Sequence, residues 1–252
     1  MRHIRNGTKI LARGIRGGRT PAKKDYLTIA CDADGTLTWR HRLSIRTAGA
    51  LVRWREAGGR LILVTGEIRD DLLHFARTGL FDRIVAENGG ILLSPPDWRA
   101  HPLAKSPPSR FVHALRGRVH PLHVGRVLVA TEHPKESILK ATIRDLELDY
   151  QLVFNLKNVM ALPAGVTKTS GLRAALKDIG VPASRVVAIG NGENDACIVR
   201  ACGLGVAVSN AKPEVKRAAD WITVGRGPDG VIEVIRRLLK KHKQQSTERA
   251  LR

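Results

Sequence analysis

Cysteine is scarce: Cys31, Cys197 and Cys202 are the three in 252 residues. They form no CxxC pair and no ladder of spacings, which excludes a disulfide framework and leaves reduced thiols in a cytoplasmic protein as the expectation. Aromatic residues are also few, at 4%, so aliphatic side chains must fill the core. No stretch approaches the roughly 18 apolar residues that cross a bilayer. Acidic residues are missing altogether from residues 1–24. That leader lacks a continuous apolar segment, so it does not read as a secretory signal.

Basic charge is present in excess. The formal net charge is +20, and most of that excess sits in the acid-free leader and in the tail from Arg236 onward. Basic ends are commonly solvated and disordered. They can also hold nucleic acid or an anionic surface through charge alone. At 43% hydrophobic and 26% charged residues, the rest is ordinary for a globular protein, long enough for one large domain plus a smaller one.

The most informative stretch is Leu27-Thr28-Ile29-Ala30-Cys31-Asp32-Ala33-Asp34-Gly35-Thr36-Leu37-Thr38. A short apolar run bounded by turn residues predicts a strand buried on both faces. With extended backbone through Asp34, the two carboxylates point the same way. Gly35 then lets the chain turn away. Two acids at the carboxyl end of a central strand lie where open α/β sheets bind ligands. Their mutual repulsion calls for a cation, and a hard divalent ion such as Mg²⁺ suits oxygen ligands best.

The pattern repeats along the chain. Residues 44–57 predict an amphipathic helix with Ile45, Ala48, Leu51, Val52 and Trp54 near its inner face, capped by Ser44. Arg60-Leu61-Ile62-Leu63-Val64-Thr65-Gly66-Glu67 is a second buried strand, ending in a hydroxyl and a glycine able to hold phosphate oxygens. Residues 84–86 are a third, running into Glu87-Asn88-Gly89-Gly90. Composition shifts at Ser94, where Pro95, Pro96, Pro102, Pro107 and Pro108 mark an irregular connection. A block with strands expected at 126–130, 150–155 and 159–162 and helices at 109–116 and 134–146 follows. Its histidines, His101, His113, His120, His123 and His133, lack the spacing of a zinc site. Lys168 opens a helix over 169–179, and Val186-Val187-Ala188-Ile189-Gly190-Asn191-Gly192-Glu193-Asn194-Asp195 is another strand ending in a polar turn. The last helix is expected over 230–241.

In that order, Asp32-x-Asp34-Gly-Thr-Leu-Thr, Thr65-Gly66, Lys168 and Gly190-Asn191-x-x-Asn194-Asp195 resemble the four motifs of the haloacid dehalogenase superfamily. Glu-Asn-Gly at 87–89 and Gly-x-Gly-Val-Ala-x-x-Asn-Ala at 203–211 resemble its Cof-like branch, subfamily IIB, with phosphoglycolate and sugar phosphatases among its members. The resemblance covers about residues 26–239. It implies a Rossmann-like doubly wound parallel sheet with an inserted smaller α/β cap. The core would be 25–90 and 164–241, the cap 91–163, and the basic ends 1–24 and 242–252.

The implied activity is Mg²⁺-dependent hydrolysis of a small phosphate ester. Asp32 would be the nucleophile and Asp34 the acid and base; Thr65, Gly66 and Lys168 would hold phosphate; Asp32, Asp34, Asn191 and Asp195 would bind the metal. Asn88, Glu193 and Asn194 would stand behind them. Two departures are visible. Asn191 replaces the first aspartate of the fourth motif, removing a charge from the metal site, and Glu67 stands where members often carry arginine, with Arg69 a weak substitute. A receiver-type phosphoacceptor also places an aspartate, a threonine and a lysine at strand ends, but is shorter and has no insertion. The other reading is a catalytically weak protein of the same fold, associated with nucleic acid through its basic ends.

Overall fold

The computed structural model describes residues 26–250. The expectations for residues 1–24, a solvated leader or a nucleic-acid contact, lie outside them. The first half contains β1 (Thr28–Cys31), α1 (Ile45–Glu56), β2 (Arg60–Val64), α2 (Leu73–Ala76), β3 (Arg83–Ala86), β4 (Ile91–Ser94) and β5 (Arg99–Pro102). The middle contains α3 (Ser109–Leu115), β6 (His123–Val124), β7 (Val129–Glu132), α4 (Glu136–Asp145), β8 (Tyr150–Asn155) and β9 (Asn158–Pro163). The second half contains α5 (Lys168–Asp178), β10 (Val186–Gly190), α6 (Ala196–Ala201), β11 (Leu204–Ala207), α7 (Pro213–Ala218), β12 (Trp221–Ile222) and α8 (Pro228–Ala250).

The main sheet has eight strands in the order β12-β11-β10-β1-β2-β3-β4-β5. β1 pairs in parallel with β10 on one side and β2 on the other. The chain therefore winds outward from β1 in two directions, a doubly wound sheet whose switch point lies between β1 and β10. Alternation along the strands separates two cores. Ile29, Cys31, Leu61, Leu63, Val187 and Ile189 belong to one face, with Leu51 and Trp54 of α1 and Val234 of α8. Ala30, Ile62, Val64 and Ala188 belong to the other, with Leu172 and Ala175 of α5 and Ile198 of α6. Burial on both faces is why these strands read as continuous apolar runs.

The inserted block forms its own antiparallel sheet, β6-β7-β9-β8. It packs on α3 and α4 through Phe111, Leu115, Val129, Leu139 and Val159. Four expectations change here. The expected boundary at 91 does not mark the edge of the main sheet, because β4 and β5 pair antiparallel with it. The strand expected at 126–130 begins three residues later, at Val129. Ile45 is 92% exposed, and α1 buries Thr47, Ala50, Leu51 and Trp54 instead. Finally, α8 continues to Ala250, through most of the expected tail. Among the described residues, no helix is long and apolar enough to cross a membrane.

Candidate active site

The acid pair follows β1 directly. Asp32 donates its N–H to Ile189 O of β10 at 3.0 Å, which holds the chain extended to that point. The turn then closes: Leu37 and Thr38 donate to Ala33 O, and Gly35 N–H to Thr38 O. Gly35 has φ +79°, and a Cβ on it would lie 2.5 Å from Asn191 Nδ2, so both conformation and space require glycine. Asn210 Nδ2 donates to Gly35 O at 2.9 Å and pins the turn from a distant loop.

Lys168 reaches the pair from the first position of α5. Thr167 caps that helix: Ser170 N–H donates to Thr167 Oγ1 and Ser170 Oγ accepts from Thr167 N–H. Gly89 and Gly171 let α5 approach β3 closely; a Cβ on Gly171 would lie 2.5 Å from Val85 Cγ1. Lys168 is 0% exposed. Its Nζ donates to Asp32 Oδ1 at 2.5 Å and to Asp195 Oδ1 at 2.6 Å. The other oxygen of Asp195 accepts the N–H groups of Asn191 and Gly192, both at 2.9 Å. Asp195, expected among the metal ligands, is thus fully buried with both oxygens engaged, and it ties Lys168 to the turn after β10.

These contacts set the protonation states. Burial, then the Asp195 charge, pushes the Asp32 carboxyl up to about 7, against the opposing pull of Lys168. Burial works against the Lys168 ammonium, but the charges and hydrogen bonds of Asp195 and Asp32 outweigh it and hold Lys168 above the ordinary lysine value.

A cavity of about 380 Å³ lies between the sheet and the inserted block. From the main sheet, Asp32, Asp34, Thr65, Gly66 and Glu67 line it; from the insertion, Leu128, Ala130, Asn155 and Met160 do. Thr65 donates its N–H to Val85 O at 2.8 Å and accepts that of Asn88 at 2.9 Å, which braces the Thr-Gly loop against β3. Glu67 N–H donates to Thr65 Oγ1 at 3.1 Å. The Glu67 carboxylate lies 3.2 Å from His41 Nδ1, and burial raises its pKa although His41 opposes that. His41 N–H in turn donates to Asp34 Oδ1 at 3.3 Å. Arg69 does not border this cavity; its guanidinium lies 4.0 Å from Asp70 instead.

The remaining expected residues separate. Asn88 Oδ1 accepts from Asn194 Nδ2 at 2.9 Å. Glu193 instead faces the insertion: its Oε2 accepts Leu156 N–H at 3.1 Å and its Oε1 lies 3.3 Å from Lys212 Nζ. Asn191 is buried, and its Oδ1 accepts from Thr36 Oγ1 at 2.7 Å. His123, one of the histidines without zinc-site spacing, borders the cavity, as do His41 and Asp71. Nothing local in the sequence marks these three, because each reaches the site from a different part of the chain.

Among the described residues, no group of three or more His, Cys, Asp or Glu could hold a metal ion. Magnesium needs less than that, because one or two carboxylates plus substrate phosphate commonly suffice. The donors at the site are all oxygens, with Asp32 and Asp34 carrying the charge. Asn194 Oδ1 is buried without a hydrogen-bond partner, an open acceptor of the kind a hydrated cation satisfies. The residues present fit a hard divalent ion.

The profile of the haloacid dehalogenase-like hydrolases matches residues 118–235. The chain is 33% identical over 226 residues to a phosphoglycolate phosphatase of Methanothermobacter thermautotrophicus, spanning 84% of this chain and 98% of that one. It is 32% identical to a phosphoglycolate phosphatase of Pyrobaculum neutrophilum, over 81% and 90% of the two chains. Among solved structures, a haloacid dehalogenase-like hydrolase from Bacteroides thetaiotaomicron superposes with a TM-score of 0.72 at 23% identity, covering 84% of this chain and 99% of that one. A subclass IIB sugar phosphatase gives 0.69 at 19% identity, over 84% and 98%. At these identities the structures speak to the fold alone.

Proposed function

Because the chain belongs to the haloacid dehalogenase-like hydrolases and is a phosphatase, we propose that it hydrolyses a small phosphorylated metabolite, phosphoglycolate or a sugar phosphate, through an aspartyl-phosphate. The observation that carries this reading is the meeting of Asp32, Asp34, Thr65 and Gly66 at one cavity, with Lys168 directly beneath Asp32.

Asp32 attacks phosphorus in line with the ester oxygen, and the P–O bond to the leaving alcohol breaks as the bond to Asp32 forms. Asp34 donates the proton that the leaving alkoxide takes up. It then removes a proton from the water that hydrolyses the aspartyl-phosphate, releasing inorganic phosphate. Thr65 and the Gly66 N–H hold the phosphoryl oxygens, and the Lys168 ammonium offsets their charge. The inserted block covers the cavity and excludes bulk water. Mg²⁺ would be held by Asp32, Asp34 and Asn191, with Asn194 close behind, and would neutralise phosphoryl charge. Asp195 acts through Lys168 and the turn, not as a direct ligand.

The reading is tested with p-nitrophenyl phosphate. Purified protein should release phosphate in the presence of Mg²⁺, and Asp32→Asn should abolish that release. Retained turnover in the variant would refute the nucleophile.

A further inference from the structure

Glu67 stands two residues beyond Thr65 and borders the cavity together with Asp32 and Asp34. Its Oε1 is met by His41, whereas its Oε2 is buried with no hydrogen-bond partner. The backbone holds it in place: its N–H is spent on Thr65 Oγ1, and its C=O accepts Glu87 N–H at 2.9 Å. These bonds fix the backbone of Glu67 in the loop beside Thr65, while the side-chain torsions stay free to turn the carboxylate toward the cavity. Its neighbours are acidic as well, since Asp32, Asp34 and Asp71 border the same space. Lys157 faces them from the insertion, but its ammonium is already 2.7 Å from Glu132.

A buried acceptor without a donor is unfavourable, more so when charged. The Glu67 side chain therefore gains by turning Oε2 toward a ligand that brings an O–H or N–H. A ligand that brings a second carboxylate adds repulsion where water screens it poorly.

We propose that Glu67 selects the leaving group, accepting phosphate esters whose alcohol carries a hydroxyl or ammonium donor near the phosphate and rejecting those with a carboxylate there. The inference rests on the phosphomonoesterase reading and narrows it to the hydroxylated esters, away from phosphoglycolate. Substrate choice is then set partly by the main sheet's own phosphate loop and not by the inserted block alone.

The test compares kcat/KM of the full-length protein with Mg²⁺ on four esters: p-nitrophenyl phosphate, glycerol 3-phosphate, phosphoethanolamine and 2-phosphoglycolate. The wild type should use at least one donor-bearing ester about tenfold or more better than 2-phosphoglycolate, and the better of the two says whether hydroxyl or ammonium is preferred. Glu67→Gln, with Glu67→Ala as the second variant, should cut that ratio by about tenfold by removing the charge. Equal or better use of 2-phosphoglycolate by the wild type overturns the proposal, as does an unchanged ratio in both variants. Absence of p-nitrophenyl phosphate hydrolysis by the wild type overturns the phosphatase reading itself, a result distinct from active protein with the opposite preference.

Discussion

Lys168 Nζ donates to Asp32 Oδ1 across 2.5 Å, joining the first residue of α5 to the end of β1 over 136 positions of sequence. The contact is sealed from water, since the Lys168 side chain is fully buried. Charge at the candidate nucleophile is thus governed by burial, by Lys168 and by Asp195 together.

The first prediction concerns pH and stability in protein kept metal-free with a chelator. Unfolded, Asp32 releases its proton near the ordinary aspartate value of about 4; folded, it does so at about 7. Between those values the folded state retains a proton that the unfolded chain has lost. The stability this contributes is complete below the lower value and disappears as pH rises through the upper one. Asp32→Asn should therefore change stability little at pH 4 or below and raise it relative to wild type at pH 8. Urea unfolding at the two pH values measures the difference, and an equal effect at both would contradict the raised value.

Asn191→Asp adds a charge to the proposed metal site at a position already held by Thr36 Oγ1. We expect the Mg²⁺ concentration for half-maximal rate to fall by about tenfold, because cation affinity follows ligand charge. Calorimetric titration of Mg²⁺ into the two proteins should show the same direction. An unchanged titration would place Asn191 away from the ion.

Glu193 fastens the turn between β8 and β9 to the main sheet through Leu156 N–H. Burial opposes its charge, yet that N–H, its own N–H and Lys212 together lower its pKa. Glu193→Ala should loosen the insertion with little effect on folding, at a cost of about 0.5–1.5 kcal/mol for the lost contacts. KM should rise severalfold with a smaller change in kcat, and amide exchange at Leu156 should accelerate. Unchanged exchange would show that the turn is held by other contacts.

Glu87 is buried and accepts three backbone N–H groups, from Arg126, Val127 and Leu128, at 2.7–3.1 Å. Replacing one carboxylate oxygen by NH₂ sets a donor against those donors. Glu87→Gln should destabilise the protein by about 2–3 kcal/mol. A loss under about 0.5 kcal/mol, within the range of ordinary surface substitutions, would mean that water readily replaces the carboxylate.

The same three amides explain a boundary that sequence patterning misplaces. Val127 and Leu128 run into the apolar stretch of β7 and read as strand with Arg126. The N–H groups of all three turn toward Glu87, however, so β7 starts at Val129. Arg99–Pro102 has no alternating pattern, and pairing with β4 alone makes it a strand. Ile45 lies on a hydrophobic stripe drawn from spacing, yet the position of α8 decides which face of α1 is covered. The last turns of α8 carry no apolar period and follow from residues of good helix propensity such as Lys, Gln, Arg and Glu.

By itself, the sequence determined the alternation of buried strands and helices, the polar turns that end β1, β2 and β10, and the four motifs that mark the family. Those signals are local, a run of apolar residues followed by Asp, Thr, Asn or Gly, and they survive without knowledge of neighbours. Tertiary structure alone decided that Asp195 is spent on Lys168, that Glu193 holds the insertion, and that His41, Glu67 and Asp71 share the cavity with Asp34. Each of these depends on which loops converge at one rim of the sheet, where burial turns an ordinary charge into one that must find a partner.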